Sequence, residues 1–194
     1  MITWFKVIVF LHIISAIIWI GAVIVLEILE WQTVHATRRE QIASQTHRQN
    51  WFGKRVFAPA SIATIVTGLI AVAIGNPAFK QFWVIVALVG VAVALGLGAG
   101  VIGRTMGKIS QMLANPATTD EQIEQQFQFL KPFTFLDLAV LIYILFDMVM
   151  RPATANTGFL GVTVVYFAIV LVSIALARAK SHRPKIEFHD QPHT

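Results

Sequence analysis

Of the six histidines in this chain, His12 alone lies inside an apolar stretch, the run from Trp4 to Leu29. An imidazole there offers a lone pair to a metal or haem iron, or a relay for protons. A titratable group at membrane depth is costly, and that cost marks a functional-site candidate. Ser15 follows one helical turn on and Trp19 two turns on, on the same side. Thr67, Tyr143 and Asp147 are polar residues inside other apolar runs, and Tyr143 and Asp147, four apart, share a helix face. Counted from the end of each run at about 1.5 Å per helical residue, His12, Thr67 and Tyr143 fall at a similar depth, roughly 12 Å. The spacing predicts a polar cluster of His12, Thr67, Tyr143 and Asp147. The simpler alternative is one helix–helix hydrogen bond from His12.

Other chemistry is narrowed by what the chain lacks. It has no cysteine, which removes disulfides, iron–sulfur clusters and thiolate nucleophiles. No phosphate-binding loop, nucleophile elbow or paired-histidine zinc motif occurs, and Gly96-Leu97-Gly98 falls inside an apolar helix. No metal site is expected. His35 and His47 are twelve apart on a polar segment, and His182, His189 and His193 lie among prolines and charges, which is poor ligand spacing. Met106 and Met112 fall on the opposite side of the membrane from Met148 and Met150. Asp137 is expected at a water-reachable helix end, Asp147 in an i, i+4 pair with Arg151, and Glu27 and Glu30 opposite basic residues.

The elements that carry these residues follow from composition. The 194 residues are 56% hydrophobic and 13% charged, which points to an all-α integral membrane bundle. Five apolar spans are expected near 4–29, 56–75, 81–103, 134–150 and 158–178, each long enough to cross a bilayer core about 30 Å thick. They form one transmembrane domain over 1–180, with a flexible tail over 181–194. The net charge of +5 suits a bilayer and not nucleic acid, because the basic residues lie between the spans. Arg38, Arg39, Arg48, Lys54 and Arg55 follow span one. Arg104, Lys108 and Lys131 follow span three, and Arg178, Lys180, Arg183 and Lys185 follow span five. Lys6, Lys80 and Arg151 are left for the other side. Basic loops stay cytoplasmic, so the N-terminus is expected outside and the C-terminus inside.

Between spans, residues 30–55 read as a polar helical segment anchored by Trp31, Trp51 and Phe52. Gly75-Asn76-Pro77 reads as a turn. Thr119 and Gln122 form a candidate capping box for a short helix over about 120–130, which Pro132 separates from span four. Ala92, Gly96 and Gly100 repeat every four residues, a pattern for close helix packing within the chain or across a homodimer.

Several of these residues carry a resemblance. His12 with Trp19 and Gly21, Pro59 with Thr67-Gly68, Trp83, and Met148-Val149-Met150-Arg151-Pro152 resemble a bacterial family of predicted integral membrane proteins of unknown function. That family is loosely grouped with copper-resistance D proteins, and it implies a bacterial inner-membrane location. The layout is also similar to bacterial haem-dependent protoporphyrinogen IX oxidases of the HemJ type. That resemblance implies haem b on His12, with Trp19 at the matching tryptophan position; a second ligand would have to be Tyr143, a methionine such as Met148, or water. The lysine those oxidases carry after the span-three tryptophan is absent, since Trp83 is followed by Val84-Ile85-Val86-Ala87. The resemblance therefore implies haem binding rather than the oxidase reaction. Three functions remain: a non-catalytic membrane component or accessory subunit, a haem-binding redox protein, and a transporter of a small solute or metal ion.

Overall fold

The computed structural model describes residues 3–34, 39–75, 80–154 and 157–181. His35, the Asn76-Pro77 turn and the tail from His182 onward lie outside the described residues. Every regular element among the described residues is helical. The helices are α1 (Trp4–Val34), α2 (Arg39–Phe52), α3 (Ala58–Ile74), α4 (Phe82–Leu95), α5 (Gly103–Ala114), α6 (Asp120–Met150) and α7 (Thr157–Ser181). Two π-helical segments, Gly53–Phe57 and Gly96–Ile102, join α2 to α3 and α4 to α5 without a break. Five helices are long and apolar enough to span a membrane: Trp4–Leu29, Ile42–Ile74, Phe82–Ala114, Asp120–Met150 and Thr157–Ala175. The chain divides into two compact units, Met1–Ala155 and Asn156–Thr194. The second holds α7, where Tyr166 packs edge-on against Phe167.

In the first unit α1 packs chiefly on α3, and α6 on α4. The outward faces stay apolar, with Ile13, Ile17, Ile62, Val89, Ile142 and Val149 exposed. Hydrocarbon is the solvent that suits such a surface. The buried seam of α6 is a regular heptad stripe: Ile123, Phe127, Leu130, Thr134, Asp137, Leu141 and Ile144 alternate steps of four and three. That stripe runs straight past Pro132, so α6 is one helix of 31 residues. The expected division into a short helix and a separate span four is therefore corrected. Proline removes one backbone donor and leaves the neighbouring turns intact when other helices hold them. The start of α6 is as expected. Gln122 N donates to Thr119 Oγ1 at 3.4 Å, and Thr119 N donates to Gln122 Oε1 at 3.1 Å. At this end a small core of Ile109, Ile123 and Phe127 ties α5 to α6, with Ile42 of α2 against it. Asn50 donates to Ser110 Oγ at 2.8 Å beside it.

On α4 the buried positions are Val84, Ala87 and Ala94, and the chain is closest at Gly90. A methyl added at Gly90 would lie 2.6 Å from Ile144 Cγ1. The ladder Ala92, Gly96, Gly100 lies on a different face. Ala92 and Gly96 are exposed, and methyls added at Gly96 or Gly100 would meet nothing.

Candidate functional site

The helix pair α1–α3 positions His12. Its Nδ1 donates to the Thr64 carbonyl oxygen at 2.9 Å. A carbonyl only accepts, so Nδ1 carries the proton, and a neutral ring keeps its lone pair on Nε2. Thr67 Oγ1 lies 3.5 Å from the same nitrogen and donates its own proton to the Ala63 carbonyl at 2.6 Å. The Cε1–Nδ1 side of the ring lies close against Gly68, where an added methyl would sit 2.9 Å from Cε1 and 3.0 Å from Nδ1. Glycine is what lets the imidazole reach the α3 backbone. His12 and Thr67 thus lie side by side. Thr64 and Gly68 join them, and sequence reasoning had not assigned either to the site.

Tyr143 and Asp147 are buried on α6. The Tyr143 ring lies 6.2 Å from Phe146. Asp147 is 0% exposed and neither carboxylate oxygen has a hydrogen-bond partner, so it bonds neither His12 nor Arg151. The expected Asp147–Arg151 pair is corrected, and the cause is local. Arg151 ends α6 in the left-handed conformation, φ 44°, with its backbone N–H on the Asp147 carbonyl at 2.8 Å. An i, i+4 pair needs both residues in helical geometry. The guanidinium turns instead over the Trp83 ring, 5.4 Å from its centroid. Trp19, two turns from His12, is 4% exposed and meets Phe57 edge-on at 6.3 Å.

A second polar place lies nearer the α2–α5 end. The helices line a partly open cavity of ≈ 280 Å³. Its polar lining is Glu27, Gln49, Asn50, Lys54, Thr134 and Asp137, and its apolar walls include Val23, Leu26, Phe57, Leu130 and Met106. Glu27 is half-buried and lines the cavity with Thr134, whose hydroxyl donates to the Lys131 carbonyl at 3.0 Å. Asp137 is 4% exposed, and its Oδ1 has no hydrogen-bond partner. The expectation that Asp137 reaches water at a helix end is corrected. α6 begins at Asp120, so Asp137 falls in mid-helix. Glu27 shares the cavity with Lys54, a basic residue of the kind expected opposite it. Both π segments contribute walls, Gly53, Lys54 and Phe57 from the first, Gly98 and Ile102 from the second. In each, a backbone N–H reaches five residues back: Ala58 to the Gly53 carbonyl, Gly103 to the Gly98 carbonyl. The wider turn displaces side chains from the α-helical phase, and such bulges recur at functional sites.

Among the described residues no group of three or more His, Asp and Glu is placed to hold a metal ion. For haem, His12 Nε2 fits an axial ligand, with Nδ1 anchored on a carbonyl as ligating histidines usually are. Trp19 meets Phe57 edge-on while its indole nitrogen has no hydrogen-bond partner, and neither Trp19 nor Tyr143 lines the cavity. The missed signal was in the sequence. Glu27 and Asp137 fall inside their helices, and Gln49 and Asn50 stand side by side.

Bilayer-length apolar helices with carboxylates buried among them define a multi-pass integral membrane protein. The chain belongs to the family described as predicted integral membrane protein (DUF2269), whose family model matches residues 6–152. The match runs from the start of α1 to just past the end of α6. No curated protein and no solved structure matches.

Proposed function

We propose that this chain is a non-catalytic component of the bacterial inner membrane that binds a small solute in the cavity lined by α1, α2, α5, α6 and the two π segments. One observation carries the reading: Asp137, 4% exposed and with an unpartnered oxygen, lines a cavity of ≈ 280 Å³ inside a membrane protein. A carboxylate is expensive at such depth, and the cost is offset when a ligand supplies the missing partner. The volume is near the lower end for small-molecule sites, which suits a compact ligand. The test is to fill the space. Gly98 lines the cavity, and the nearest atom to a methyl added there is Phe57 Cζ at 3.9 Å. In Gly98→Leu the detergent-purified protein is expected to fold normally and lose ligand-induced thermal stabilisation. Undiminished stabilisation would remove the cavity from the function.

A second reading, haem b held by His12, is favoured by the tautomer that the Thr64 carbonyl selects, which leaves Nε2 available. It expects a Soret band in protein from haem-replete cells and its loss in His12→Ala. A colourless wild-type preparation ends it.

A further inference from the structure

We infer that the ligand of this cavity is a small amphipathic organic monocation, its ammonium group facing Asp137 and Glu27 and its hydrocarbon against Val23, Leu26, Phe57 and Leu130. The inference rests on the cavity reading above and adds the chemical class. Charge argues first. Two carboxylates face the space, and the one ammonium that lines it, Lys54, is exposed to solvent while Asp137 is buried. Solvent screens Lys54 far more than it screens a carboxylate at low dielectric, so the field inside favours a cation. An anionic ligand would have to approach an unpartnered buried carboxylate, a like-charge juxtaposition that opposes binding.

The coordination set argues next. A divalent transition metal asks for three or four protein ligands, and two carboxylates without a nearby imidazole supply too few. The walls argue last. Val23, Leu26, Phe57, Leu130, Ile102 and Met106 leave most of the surface without a hydrogen-bonding group. A bare hydrated ion makes no use of that surface, whereas a hydrocarbon tail gains by leaving water for it. Phe57 also offers an aromatic ring to a cation.

Calorimetric titration of the full-length purified chain tests this with five probes: benzylammonium, benzyl alcohol, benzoate, sodium and magnesium. Benzylammonium is expected to bind roughly tenfold tighter than its neutral analogue, the difference expected of one charge-assisted contact. Asp137→Asn should erase that preference while benzyl alcohol binds as before; Glu27→Gln serves if the first variant does not fold. Preferred binding of benzoate, sodium or magnesium that is lost in Gly98→Leu would overturn the assigned class and leave the cavity reading standing. Absence of binding by all five would overturn both. Equal affinity for benzylammonium and benzyl alcohol would overturn the carboxylate contact.

Discussion

The His12 ring and the α3 backbone touch because residue 68 has no side chain, and the contact makes a sharp prediction about sign. Gly68→Ala gains about 1 kcal/mol of helix propensity. It also places a carbon 2.9 Å from His12 Cε1, so the ring must move and the bond to the Thr64 carbonyl is lost. Overpacking costs roughly 1–3 kcal/mol and the hydrogen bond about 1, so the loss outweighs the gain. In a His12→Ala background the obstacle is gone and the same substitution should stabilise. A double-mutant cycle on unfolding midpoints in detergent would show the sign reverse; destabilisation of equal size in both backgrounds would refute the contact. At this scale the sequence spoke clearly about His12, since a lone imidazole in an apolar run has few reasons to be there. It said much less about partners. Depth counting grouped Thr67 with His12, and the two lie 3.5 Å apart. It could not separate the faces of α6, so it grouped Asp147 with a ring it does not bond. Arg151 was illegible for a local reason: nothing in the sequence marks a non-glycine residue for the left-handed cap that redirects it.

Helices were easier to read than their ends. Five apolar runs of bilayer length are plain from composition alone, and five such helices are present among the described residues. Proline was given too much weight, because the steps of four and three from Ile123 to Ile144 pass through Pro132 without a change of phase. A continuous seam is stronger evidence of one helix than a single missing donor is of two. The π segments had no usable signal beyond their glycines, and they contribute Gly53, Lys54, Phe57, Gly98 and Ile102 to the cavity lining. The small-residue ladder misled in another way. Ala92, Gly96 and Gly100 have the right spacing, yet α4 meets α6 at Gly90. A methyl at Gly90 would lie 2.6 Å from Ile144 Cγ1 and 3.0 Å from Cδ1, and Cγ1 is too near the branch point to swing clear. Gly90→Ala should therefore destabilise by roughly 1–3 kcal/mol, and Ile144→Ala should restore part of the loss in the double variant. Gly96→Ala, in open space, should be neutral or mildly stabilising for the isolated chain. Thermal unfolding of the three variants side by side would reveal the opposite ranking if the ladder were the internal contact.

Orientation belongs to the whole molecule, and it decides from which side the cavity is supplied. Lys54 and Asn50, at the cavity, belong to the same end of the bundle as Arg48, Arg55, Arg104 and Lys108. Basic residues within a few turns of a span resist translocation, so this end should face the cytoplasm and the ligand should arrive from there. The absence of cysteine makes the test clean, since a single introduced thiol is the only one labelled. Ala117 and Thr154 are both exposed and lie on either side of α6. In intact cells a membrane-impermeant maleimide should label Thr154→Cys and spare Ala117→Cys until the membrane is opened. The reverse pattern would invert the molecule and bring the ligand from outside. Labelling of both in intact cells would mean that α6 does not cross the bilayer. The four-helix arrangement around Asp137 would then lose the low-dielectric surroundings that give the cavity its preference for a cation.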